Sequence, residues 1–322
     1  MGGPLLHEAH HAGEQGRLMS HGSEGSVKAI FYALGANFGI ALSKYVAAFW
    51  TGSGSMLAEA IHSTADCANQ LLLLLGLKQA RRPASVDFPL GHHRVTYFWS
   101  MIVALMLFFM GGAFSVYEGV ERLLHPQPLQ HGLIAMAVLG GAVVLEAFSL
   151  WGALKEIRKI AGSQSFLAWF RETRQSELMV VAGEDIAALL GLALAFVAVA
   201  ASVATGNPLW DALGTLAIGV VLMVIAIAVM IEVKGLIVGE SAAPQLRAEI
   251  EGFVAAQPEV EQVLNVITLA WGDRVVIAVK ARMRGMETQT GLQMVDAINA
   301  VEVRMQERFP NAQWVFFEPD VR

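Results

Sequence analysis

His62 and Asp66 stand four residues apart in the stretch LAEAIHSTADCANQLLLLLGL, Leu57 to Leu77. On a helix that spacing stacks them on one face, ~6 Å apart along the axis, close enough for an imidazole and a carboxylate to grip one ion. Glu59 precedes His62 by three and Asn69 follows Asp66 by three, so the polar residues form one stripe while the leucine run faces elsewhere. A second segment, VVAGEDIAALLGLALAF, carries Glu184 and Asp185 among small and apolar residues. Acids and an imidazole from two helices are the donor set of a borderline divalent cation such as Zn²⁺, and would accept Fe²⁺, Co²⁺ or Mn²⁺. Mg²⁺ prefers all-oxygen surroundings with retained water. The competing reading is helix-to-helix hydrogen bonding, with polar residues acting as glue. His62 paired with Asp66 on one face, with acids on another segment, favours the cation.

These residues sit in a chain of 322 residues that is 55% hydrophobic and 16% charged, too apolar for an ordinary soluble globule. The expectation is an α-helical membrane protein. An ionisable group at bilayer depth costs at least ~2.5–3.5 kcal/mol, so such groups face the bundle interior and work there. Spans need about 20 mainly apolar residues, and six windows qualify: Ile30 to Trp50, Met56 to Leu77, Phe98 to Val120, Leu133 to Leu154, Leu178 to Ala204 and Leu209 to Val233. If they alternate, Lys28, Lys78, Arg81, Arg82, Arg94, Lys155, Arg158, Lys159, Arg171, Arg174 and Lys234 fall on one side, against Arg122 on the other. Both termini are therefore expected to be cytoplasmic. The net charge of −6, with cations scattered in short groups, excludes nucleic acid as a partner. HExxH, phosphate-loop and nucleophile-elbow patterns are missing, so an enzyme is not expected. Cys67 stands alone and forms no intrachain disulfide.

The chain divides into three parts. Residues 1–27 form a polar tail with His7, His10, His11 and His21, which reads as soluble and lacks the order of a cleaved signal peptide; 28–240 carry the six windows. From 241 to 322 the texture changes to alternating charge and apolarity, in the order α, β, β, α, β. This predicts a small α+β domain with both helices on one face of an antiparallel sheet, small enough that packing against a second copy would help it. Lys44, late in the first window, is expected to snorkel to the interface. Glu146 and Asp211 are candidate proton relays, Asp211 alternatively a helix cap, and Tyr97, Trp99 and Trp210 read as interfacial anchors.

The motifs GSMLAEAIHSTADCANQ, GHHRVTYFW, GGAFSVYEGVERLLHP, EDIAALLGL and FFEPD together resemble the cation diffusion facilitator family, and within it the branch similar to zinc transporter 9. The resemblance covers nearly the whole chain after its first twenty-odd residues. It implies six membrane helices, a ferredoxin-like cytoplasmic domain, a homodimer in a lipid bilayer, and export of a divalent metal from the cytoplasm in exchange for protons, with Zn²⁺ as substrate and no prosthetic cofactor. A bacterial inner membrane is the expected location. By the same resemblance His62, Asp66 and Asp185 are transport ligands that also couple protons, while the family's remaining ligand position falls on Val181, which cannot ligate. Glu184 is the nearest substitute, with Glu59, Asn69 or water as alternatives. The loop DFPLGHHR corresponds to a second metal site in some relatives; Asp87, His92 and His93 are present, but Phe88 replaces a histidine, so this site is expected to be weak. No histidine follows His131, which rules out a His-based binuclear site in the terminal domain, and Glu318 and Asp320 read as surface acids. The Val181 gap also motivates a second reading, a transport-incompetent partner or regulatory subunit that binds metal without moving it.

Overall fold

The computed structural model describes residues 37–129, 131–161 and 164–321. The histidine-bearing tail lies outside the described residues. Long apolar runs without internal proline become long helices: α1 (37–51), α2 (Gly54–Ala80), α3 (Val95–Leu124), α4 (Gly132–Ala161), α6 (Ser176–Thr205) and α7 (Leu209–Val238), with a short α5 (Phe166–Glu172) between α4 and α6. Among the described residues, α3, most of α4, α6 and α7 are long and apolar enough to cross a membrane. Helix α2 begins where Ser53 caps it, its Oγ accepting from the Met56 amide. Within α3, residues Leu107–Ala113 widen into a π-helical turn, a local irregularity that commonly accompanies function. Helix α7 packs along α6 and α3, and α4 along α6, around a core that includes Met56, Leu107, Leu139, Leu192 and Ile218. Phe49, Trp50, Phe148 and Trp151 point outward, as lipid-facing positions require.

The C-terminal part follows the expected order: α8 (Pro244–Ala255), β1 (Val260–Trp271), β2 (Arg274–Met283), α9 (Gly291–Arg308) and β3 (Ala312–Pro319). Strand β2 buries every second residue, Val275, Ile277, Val279, Ala281 and Met283, against Ile250 and Val254 of α8 and Val301 and Met305 of α9. Burial of each large aliphatic side chain contributes about 1.5–3 kcal/mol. The sheet order is β1-β2-β3, with β1 and β2 antiparallel but β2 and β3 parallel. This corrects the expectation of an antiparallel sheet. A helix between two neighbouring strands returns the chain to the end where it started, so β2, α9 and β3 form a parallel crossover.

The β1–β2 hairpin turn, Gly272 and Asp273, docks onto the loop before α3. Gly272 N–H donates to the Tyr97 hydroxyl at 2.8 Å, Trp271 Nε1 donates to Leu90 O at 3.0 Å, and the Arg94 guanidinium lies 4.7 Å over the Trp271 ring. Gly272 has φ +68°, and a Cβ there would meet His93 O at 2.5 Å, so only glycine fits this contact. Tyr97 is 1% exposed, which corrects its reading as an interfacial anchor: its hydroxyl serves the hairpin. Trp210 is exposed, whereas Trp99 is half-buried and donates to Gln79 Oε1 at 3.1 Å.

Candidate cation site

Asp66 occupies the crossing of two stripes on α2. Glu59, His62 and Asn69 form one, each fully buried against neighbouring helices. Ser63 and Gln70 form the other and, with Asp66, face a cavity of about 160 Å³. Across it stand Glu146 of α4 and Glu184 and Asp185 of α6, and Val181 lines the same wall. Glu184 and Asp185 are about 100° apart around their helix, yet both reach the cavity.

His62 Nδ1 lies 3.6 Å from Asp66 Oδ1, too long for a hydrogen bond. Neither His62 nitrogen nor Asp66 Oδ1 has a hydrogen-bond partner among the described residues. Buried groups of this kind cost about 1–3 kcal/mol each when unsatisfied, so their retention points to a ligand. The π-turn of α3 packs here, where a Cβ on Gly111 would lie 3.7 Å from His62 Nδ1. Donor chemistry fits a borderline divalent cation. Among the described residues, however, no three His, Cys, Asp or Glu side chains stand close enough to hold one ion together.

The remaining expected ligands are engaged through one atom each, while Glu59 Oε1 and Asn69 Oδ1 have no hydrogen-bond partner among the described residues. Asn69 donates a short hydrogen bond from Nδ2 to Glu184 Oε1, tying α2 to α6. Glu59 Oε2 pairs with Lys44 Nζ at 3.2 Å, and its other oxygen faces Gly191 of α6, where a Cβ would come within 2.5 Å. Lys44 is 4% exposed and also donates to Ser63 Oγ at 2.7 Å, so it does not snorkel: it faces α2 rather than the lipid. Lys44, Ser63 and Gln70 are cavity residues that the sequence reading missed. A signal existed, because Lys44 lies eight residues before Gly52 and Glu59 seven after it, the positions an α1–α2 hairpin brings opposite each other.

Asp211 does not cap its own helix. It accepts from Ser53 Oγ and from the Gly54 amide, both at 2.7 Å, and Arg122 Nη1 lies 3.9 Å away, so it closes the start of α2. The three loop residues do not converge. His93 Nδ1 pairs with Asp273 Oδ1 at 2.7 Å, His92 stacks on Phe88, and Asp87 points to solvent. Glu318 and Asp320 both pair with Lys280.

Residues 30–237 match the model of the cation efflux transmembrane domain. The chain is 35% identical over 246 residues to the proton-coupled zinc antiporter SLC30A9, mitochondrial, of Homo sapiens, covering 76% of this chain and 43% of that protein. Metal tolerance protein C4 of Arabidopsis thaliana is 30% identical over 232 residues, 71% of this chain and 50% of its own length. Zinc transporter ZitB of Escherichia coli is 29% identical over 128 residues, 40% of each chain. Aligned stretches thus span half or less of these relatives. The human relative is named as mitochondrial, so the bacterial inner membrane expected from the sequence finds no support in it.

Proposed function

The chain belongs to the cation efflux family, and from that premise we propose that it is a divalent cation/proton antiporter working by alternating access, with Zn²⁺ as its main cargo. Fe²⁺, Co²⁺ and Mn²⁺ fit the same donors. The observation that carries this reading is the cavity shared by Asp66, Glu184 and Asp185, with the open imidazole of His62 3.6 Å behind Asp66. In the proposed cycle His62, Asp66 and Asp185 bind the ion, and Glu184 leaves Asn69 to take the place that Val181 cannot fill. Ligation needs a neutral imidazole and ionised carboxylates, so loading the metal expels protons and reprotonation on the far side releases it. Return of the protonated, empty carrier avoids carrying unpaired charge through a low dielectric.

Six spans are proposed for residues 28–240, the described α1, α2, α3, α4, α6 and α7, with residues 1–27 and the ferredoxin-like domain 241–322 on the cation-rich side. The outer face of the sheet leaves Ile267 and Phe316 exposed, which supports a homodimer joined there.

The test is metal uptake by the purified chain in proteoliposomes under an imposed pH gradient. Wild type is expected to take up Zn²⁺ saturably, and Asp66→Ala to lose at least about 100-fold in rate, as loss of an essential ligand does. Unchanged uptake in Asp66→Ala overturns the site. The dispersed donors favour one rival, a metal-binding partner subunit: protein that binds Zn²⁺ but moves none when pure would establish it.

A further inference from the structure

Lys44 is the unexpected charge in the cavity. Lys44 lines the same cavity as Asp66, Glu146, Glu184 and Asp185. Glu59 and Ser63 hold it there, at 3.2 Å and 2.7 Å. Ser63 and Asp66 are three apart on α2, hence neighbours on one helix face, so an ammonium bonded to Ser63 is within a side-chain swing of the Asp66 carboxylate. Glu59 does not line the cavity, and its second oxygen is turned toward Gly191 of α6. A buried ion pair of this kind is a poor source of stability compared with apolar packing, so its presence beside a cation path calls for another explanation.

Resting on the proposed site at Asp66, we propose that Lys44 is a tethered competitor for the divalent cargo. Held on the cavity wall by Glu59, the ammonium repels the incoming ion and has access to the same carboxylate, which weakens binding and speeds release. Glu59 is then the anchor of Lys44 and not a metal ligand. A carrier must bind its ion and also let it go, and a site that gripped too tightly would raise affinity at the expense of turnover.

The test measures Zn²⁺ binding by calorimetry on the purified full chain, and KM and maximal rate in proteoliposomes. Lys44→Met leaves Glu59 unpaired, so the deciding variant is the double Lys44→Met/Glu59→Gln, which removes both charges. Lys44→Gln, a neutral side chain that still carries an N–H donor, is the substitute should the double fail to fold. Each is expected to bind Zn²⁺ about tenfold more tightly, with KM and maximal rate both falling. Lys44→Arg should stay within about twofold of wild type, and Glu59→Gln alone, which frees the ammonium to reach Asp66, should bind about tenfold more weakly. An unchanged affinity in the neutralised variants would make the pair structural, and weaker binding in the double would make Glu59 a ligand; either overturns the proposal. Asp66→Ala that binds Zn²⁺ like wild type would instead remove the underlying site, which separates the two failures.

Discussion

Asp66 and Asp211 are both aspartates at contacts between transmembrane-length helices, and their surroundings are opposite. Asp211 has an acceptor role filled on each oxygen, by Ser53 Oγ and the Gly54 amide, with Arg122 close behind. Asp66 has an oxygen with no hydrogen-bond partner among the described residues, beside an imidazole with both nitrogens open. A saturated buried carboxylate closes the fold, because each donor it accepts from would be stranded without it. An unsaturated one keeps its binding capacity for something that is not part of the chain. The same division runs through α2: its start is tied down by Asp211, while its middle holds the open groups.

Substitution at the two positions should therefore separate stability from binding. Asp66→Asn is expected to cost at least about 100-fold in Zn²⁺ affinity while moving the thermal midpoint little, since few contacts are lost. Asp211→Ala leaves the Ser53 hydroxyl and the Gly54 amide without their acceptor, while Arg122 keeps Glu118 and Gly52 O; a loss of about 3 kcal/mol lowers the midpoint of a chain of this size by about 4–5 °C. Its folded fraction should bind Zn²⁺ within about twofold of wild type. Equal falls in midpoint for the two variants would break the contrast.

The junction between bundle and soluble domain tests the saturated class again with a smaller effect. The Tyr97 hydroxyl accepts from the Gly272 amide at 2.8 Å and faces Gly272 O at 3.4 Å. Tyr97→Phe keeps the ring and removes these bonds, at a cost of about 1 kcal/mol. Hydrogen exchange at the Gly272 amide should quicken several-fold in the variant, with Zn²⁺ affinity unaltered. Exchange that stays at the wild-type rate would show that the backbone and Trp271 hold the junction without the hydroxyl.

What the sequence made legible is what local pattern determines. Apolar windows marked the long helices, and alternating charge and apolarity marked the order α, β, β, α, β of the C-terminal part, because each depends on neighbours within a few residues. The stripe on α2 was legible for the same reason. Partners were not: whether Lys44 reaches lipid or Glu59 depends on how α1 is rotated against α2, and Tyr97 meets Gly272 across 175 residues. Proximity to a span end suggested an interfacial role for both Lys44 and Tyr97, and tertiary packing overrode it. The parallel pairing of β3 with β2 was within reach of topology alone, since a helix links them. Asp66 was identified by its spacing from His62, but its second stripe with Ser63 and Gln70 needed the cavity to be seen.

Arg304 of α9 supplies the smallest and most surface-bound version of a saturated acid. It donates from Nη2 to Glu259 Oε2 at 2.5 Å and from Nε to Gln257 Oε1 at 2.7 Å, tying α9 to the loop that enters β1. The hydrogen bond from Arg304 holds the Glu259 carboxyl below its usual value of 4.5. A depressed value in the folded state means stability that is present above the ordinary carboxylate range and is lost as pH falls through the folded value. Arg304 and Glu259 are 37% and 24% exposed, so solvent screening limits the contribution to about 1 kcal/mol or less. Glu259→Gln should therefore lower the midpoint by no more than about 1–2 °C at pH 7, and its difference from wild type should shrink once the pH drops below the usual carboxylate range. Comparing the two proteins at each pH cancels the acids they share. A difference that persists undiminished in acid would mean that the amide and the carboxylate are worth the same to Arg304, and that the contact works by shape and not by charge.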